Sequence, residues 1–162
     1  MGNGQNDGAM LIEKEAFYAI GLKWKGTFQE AGAGQIRPVH EELQKRLKEI
    51  RNVTNPEIML GLSYHARPDG KGFTHYAAVE VEKVDEIPPG MVSISVPTLK
   101  YALYEHRKGQ GIEASYSNIY KWIANQGYQE NNPDSLTHFE KYPMKQDPYS
   151  EDPEFTIMIP IK

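Results

Sequence analysis

The chain has 162 residues, of which 39% are hydrophobic and 25% charged; that is enough apolar material for one domain with a real core and argues against disorder. Eighteen Lys and Arg face 22 Asp and Glu, a net charge of −4, which disfavours whole-molecule affinity for a nucleic-acid backbone. The lack of cysteine excludes disulfides, thiolate zinc sites and thiol nucleophiles and fits a reducing cytoplasm, and without a run of about 18 apolar residues no helix is expected to span a membrane.

The opening MGNGQNDGAM is polar, with no basic and apolar regions of a signal peptide, so residues 1–12 read as a flexible tail ahead of a single domain over 13–162. FYAIGLKWKGTF (17–28) alternates, placing Tyr18, Ile20, Leu22 and Trp24 on one face of a strand. QEAGAGQ then reads as a flexible connector; its AGAG lacks the lysine and the full spacing of a nucleotide-binding loop. In IRPVHEELQKRLKEIRN (36–52), Val39, Leu43, Leu47 and Ile50 mark an amphipathic helix, with Pro38 near its first turn and acidic before basic residues as the helix dipole prefers. EIMLGLSYHAR (57–67) and FTHYAAVEVEKV (73–84) read as strands joined by a hairpin turn at PDGKG.

IPPG (87–90) punctuates the midpoint, and the order then repeats. Strand material lies on both sides of Pro97, the stretch 100–106 being the stronger. GIEASYSNIYKWIANQGY (111–128) places Ile112, Tyr116, Ile119, Tyr120 and Ile123 on one helical face, with Gly127 suited to the C-terminal cap. THFEKYP (137–143) and FTIMIPI (155–161) are the last strands, separated by a polar turn. The expected fold is α+β: duplicated strand-helix-strand-strand units over about 15–86 and 87–162, forming an antiparallel sheet with two helices and a central ligand cleft at the seam.

DSLTHFEKYP (134–143) carries the chemistry. As a strand it points His138, Glu140 and Tyr142 one way, so a carboxylate stands between an imidazole and a phenol. On a solvated face this needs no explanation. Lining a cleft, it suits something flat, apolar and positively charged, since a buried lone carboxylate is costly unless neutralised and cation–π contacts add about 1–2 kcal/mol each. Tyr64, Tyr76, Tyr104, Trp122 and Tyr142 sit on elements that could border such a cleft, with core packing as the alternative for any one of them. Trp24 is a further candidate from the first strand. Glu80, four residues beyond Tyr76 on one strand face, is a candidate second acidic wall. Five scattered histidines, with no His-x-x-x-His pair, do not suggest a metal site, and no cofactor is expected.

The motifs IPPGMVSISVPTLKYALYEHRKG, YKWIANQGY, LTHFEKYP and IMIPIK, in that order, resemble the GyrI-like effector-binding domain, the ligand-sensing module of many AraC-type and MerR-type bacterial regulators. The resemblance is carried by residues 87–162, the first half matching in element order alone. It implies recognition of amphipathic, often cationic aromatic compounds, with the strand carboxylate, here Glu140, near the ligand. Since regulators of this kind carry a further DNA-binding domain, a stand-alone cytoplasmic sensing or sequestering version is expected. A separate DNA-binding regulator or other protein is a possible partner, without direct nucleic-acid or membrane contact. The alternatives that the resemblance implies are a hydrolase of electrophilic cyclopropane-bearing compounds, using Glu140 with Tyr142 or Tyr104, and a gyrase-inhibitor-like interaction protein.

Overall fold

Strands form where the alternating patterns predict them, in a computed structural model that describes residues 9–64, 72–132 and 136–162. In chain order they are β2 (Phe17–Gly26), β3 (Ile58–Tyr64), β4 (Phe73–Val81), β5 (Val92–Val96), β6 (Leu99–His106), β7 (Leu136–Pro143) and β8 (Phe155–Ile161), preceded by β1 (Met10–Lys14). The helices are α1 (Phe28–Gly32), α2 (Arg37–Arg46), continued by a 3-10 turn at Leu47–Glu49, and α3 (Ile112–Asn125). The fold is α+β, one antiparallel sheet in the order β1-β6-β8-β7-β3-β4-β2-β5.

That order is symmetric about the β3–β7 seam: β2-β4-β3 on one side answers β6-β8-β7 on the other. The strand that precedes each unit lies on the edge of the other unit, β1 on β6 and β5 on β2. Only Glu15 and Ala16 separate β1 from β2, and only Pro97 and Thr98 separate β5 from β6. Links this short join opposite ends of an eight-stranded sheet only if it curls until its ends approach, because two residues span no more than about 7 Å. The curl is visible in the contacts. Ala16 N–H donates to Thr98 Oγ1 at 2.9 Å, and the Phe17 and Phe139 rings lie 6.1 Å apart although β4 and β3 stand between their strands.

The inner face of the curl holds Phe17, Leu62, Tyr101, Phe139 and Met158. On the outer face, α2 packs through Leu43 onto Ile20, Met59 and Val79, while α3 packs through Ile119 and Ile123 onto Ala102, Ile157 and Ile159. Each helix covers its own half, so the seam between them is not covered by either.

Three sequence expectations change. The tail expected through residue 12 ends sooner, since Met10 to Lys14 pair with Leu103 to Leu99 of β6. The expected connector after β2 is instead the short helix α1, held by a capping box in which Thr27 Oγ1 accepts from Glu30 N–H and Glu30 Oε1 from Thr27 N–H; Thr-x-x-Glu is its signal. The expected single helix over 36–52 stops at Arg46 and tightens into the 3-10 turn. Gly127 adopts the left-handed φ of 80° after α3, as a C-terminal cap requires. Apart from Gly72, the PDGKG turn lies outside the described residues.

Candidate functional site

The uncovered seam is a cavity of about 1160 Å³, somewhat above the roughly 300–1,000 Å³ usual for small-molecule sites. Its floor follows from strand register. Gly61 pairs with Glu140, Ser63 with His138 and Met59 with Tyr142, so alternation turns all six toward the helices. Opposite Glu140 the sheet therefore carries no side chain. A Cβ on Gly61 would stand 2.9 Å from His75 Cε1 and 3.3 Å from Tyr142 Cε2, so the bare position leaves room for both rings. A β-bulge next to Ser63 and Tyr64 ends the regular pairing and brings Thr137 beside His138 on the lining. The walls come from α1 and α2 on one side, Tyr116 and Tyr120 of α3 on the other, and the β7–β8 loop above.

Glu140 accepts hydrogen bonds from the Tyr116 and Tyr142 hydroxyls, the latter at 2.5 Å. Burial first, and then the Glu140 charge, push both phenols well above their ordinary value, so both stay protonated and donate. No Lys or Arg among the described residues forms a salt bridge with Glu140. Among the described residues, the remaining charged lining groups are Arg37 against Glu130, Asp147 and Glu151, a net acidic set. Apolar contact surface comes from Met59, Phe73, Phe155 and the stacked Tyr116 and Tyr120, whose centroids are 6.4 Å apart.

Three histidines join this wall. His40 of α2 and His75 of β4 share a hydrogen bond between their Nε2 atoms at 3.0 Å, and His75 Nδ1 lies 3.2 Å from Ser63 Oγ. The His40 ring also meets Tyr142 edge-on at 5.2 Å, and His138 meets Tyr116 at 5.3 Å. Burial lowers His40 to about 4; burial first, then the charges of His40 and His138, keeps His75 well below its usual value. The pair is neutral at pH 7, one ring donating and the other accepting.

Burying these rings uncharged ties stability to pH. The folded state refuses protons that the unfolded chain accepts below about 6.5, so this contribution is complete above pH 6.5 and is lost as the pH falls through about 4. Between pH 7 and 4.5, His40 alone should cost on the order of 2 kcal/mol of unfolding free energy. Urea unfolding at both values checks this: His40→Gln should flatten the pH slope, and an unchanged slope would remove His40 from the account.

Of the residues expected at a site, the structure brings Glu140 and Tyr142 to the cavity and leaves the other six off its lining. Tyr64, Tyr76 and Glu80 lie on the opposite face of the sheet. Even-numbered residues of β4 point away from Ala77, which pairs with Gly61; Tyr64 and Tyr76 pack edge-to-face at 5.6 Å, and Glu80 is paired with Lys14 at 2.8 Å. Tyr104 is 2% exposed in the core beneath α3, which removes it as a catalytic candidate at this cavity. Trp122 packs beside Tyr128. Trp24 stands behind the wall, against Phe73 at 5.4 Å. Sequence reading missed Tyr116, His40 and His75 as site residues. The Tyr116/Tyr120 spacing of four was the available signal for one of them; nothing local marks the histidine pair, which joins residues 35 apart. Among the described residues, no group of three or more His, Asp or Glu is placed to hold a metal ion, and no helix is long and apolar enough to cross a membrane.

Comparison with known proteins agrees with this architecture. The transcriptional regulator BrlR of Pseudomonas aeruginosa is 29% identical over 163 aligned positions, covering 97% of this chain and 56% of BrlR, so the chain spans about half the length of this relative. Among solved structures, SAV2435 bound to tetraphenylphosphonium superposes with a TM-score of 0.68 at 20% identity, over 95% of this chain and 93% of that one. The EcmrR C-terminal domain superposes with a TM-score of 0.68 at 14% identity, over 95% and 96%. At these identities the two structures show a shared fold. The sequence pattern of the GyrI-like small molecule binding domain matches residues 10–162, both halves of the sheet, and the chain belongs to that family.

Proposed function

We propose that the seam cavity captures amphipathic aromatic cations, and that the domain acts in the cytoplasm as a sensing or sequestering module. The observation that carries this reading is Glu140: a carboxylate on the floor of a ligand-sized cavity, held by two phenol hydroxyls and paired with no basic side chain among the described residues. A carboxylate has about four acceptor sites, so two remain for a ligand's positive end. At 4 Å and an effective dielectric of 20, a cation gains about 4 kcal/mol of Coulomb energy before its desolvation is subtracted. The tyrosine and phenylalanine faces offer the flat surface that an aromatic cation needs. Support by likeness comes from SAV2435, whose structure holds tetraphenylphosphonium, and from BrlR, a transcriptional regulator.

Tetraphenylphosphonium and tetraphenylborate have nearly the same shape and opposite charge. Calorimetric titration of each should give saturable binding of the cation and none of the anion. Equal binding of both would reduce the site to a greasy hollow and end the electrostatic reading. Mass spectrometry of a reactive cyclopropane compound held with the protein should return it unchanged; a ring-opened hydrolysis product would instead favour the hydrolase alternative, with Glu140 as base and the two phenols as donors.

A further inference from the structure

The cavity is larger than a single drug-sized cation requires, and its anionic groups are not gathered at one point. Glu140 and Glu130 both line it: Glu140 is half-buried on the strand floor, whereas Glu130 is solvent-exposed, at the mouth. Between them runs a wall of two tyrosines one turn apart on α3: Tyr116, which donates to Glu140, and Tyr120, stacked on Tyr116 with centroids 6.4 Å apart. Tyr120 is in turn close enough to Glu130 that, after burial, the Glu130 charge helps raise its hydroxyl to about 12. The sequence along the wall is therefore carboxylate, ring, ring, carboxylate.

Glu130 is exposed as a residue, yet burial raises its carboxyl above the ordinary value, with no cation among the described residues pulling it back. None of the salt bridges of the described residues involves it. Among the described residues, the one guanidinium lining the cavity, Arg37, stands on the α2 side, where it and Asp147 act on the same Tyr149 hydroxyl. Among the described residues, no ion pair offsets the negative charge on the α3 side of the cavity.

We propose that the preferred ligand is an elongated dication, one positive end on Glu140 and the other at Glu130, with its apolar middle laid along the Tyr116–Tyr120 face. This rests on the cation-capture reading above and narrows it to a class of compound: bis-quaternary aromatic amphiphiles rather than compact monocations.

The test uses bis-quinolinium compounds with propyl-, hexyl- and decyl-length linkers and the matching N-alkylquinolinium monocations, titrated against the full chain by quinolinium fluorescence. The tightest dication should bind about fivefold better than its monocation, beyond the factor of two that equivalent ends provide, and high salt should erase the advantage because the outer pair is solvated. In Glu130→Gln the ratio of dication to monocation affinity should fall toward that factor of two; circular dichroism confirms that the variant is folded. A dication that binds no better than its monocation, or a ratio that Glu130→Gln leaves intact, overturns the proposal while the monocation still binds. If no quinolinium of either kind binds, cation capture itself fails, and this inference with it.

Discussion

Glu140→Gln should bind tetraphenylphosphonium about 10- to 100-fold more weakly than the unaltered protein, equivalent to about 1.4–2.8 kcal/mol. The substitution keeps shape and removes charge. The new amide oxygen can accept from one of the Tyr116 and Tyr142 hydroxyls that now both donate to the carboxylate, and the other hydroxyl can turn to accept from its NH2. Folding stability should hold or rise slightly, because removing a half-buried carboxylate with no basic partner relieves a desolvation cost. Affinity and stability thus move in different directions, which separates a ligand-binding role from a structural one. Tyr116→Phe should fall between the two, since it leaves the charge and loses one donor. A folded Glu140→Gln protein that binds the cation as well as the unaltered chain would remove the carboxylate from the mechanism.

Gly21→Ala should lower unfolding free energy by about 3 kcal/mol or more, the upper range for overpacking. Gly21 pairs with Ala78 midway along the antiparallel β2–β4 ladder, and a Cβ there would stand 2.0 Å from the Ala77 carbonyl oxygen and 2.5 Å from Ala78 Cα. Those are backbone atoms of a central strand, so no rotamer change relieves the clash; the strands must separate, and with them the curl that lets two-residue links close the sheet. Gly32→Ala is the natural contrast. No atom lies within 4 Å of the new methyl and its φ is not in the left-handed region, so the substitution should be neutral or stabilise α1 by up to about 1 kcal/mol. Urea denaturation of both variants reads the difference directly; comparable midpoints for the two would show that the β2–β4 contact is looser than this geometry.

Element identity was largely legible because it is local. Alternation in FYAIGLKWKG and FTIMIPI marked strands, and the spacing of Ile112, Tyr116, Ile119 and Ile123 marked α3. Edge strand β1 escaped notice: MLIEK pairs through its backbone with β6, and its exposed Met10 and Leu11 have no half-buried alternation to announce it. Helix α1 escaped because TFQE reads equally as a strand end until the capping box is recognised.

At the site, the residues of LTHFEKYP were enough to place His138, Glu140 and Tyr142 on one face, since side chains alternate whatever the strand pairs with. The same rule placed Tyr76 and Glu80 together, but whether that face meets the cavity depends on β4 pairing Ala77 with Gly61, a relation among strands far apart in the chain. His40, His75 and Tyr116 converge on Glu140 and Tyr142 only because the curled sheet sets α2 and α3 on either side of the seam. By itself, then, the sequence determined the elements, their repeated order and which side chains travel together. Tertiary structure alone decided which of those faces look into the cavity, because that follows from strand register and sheet closure, which no short stretch of residues contains.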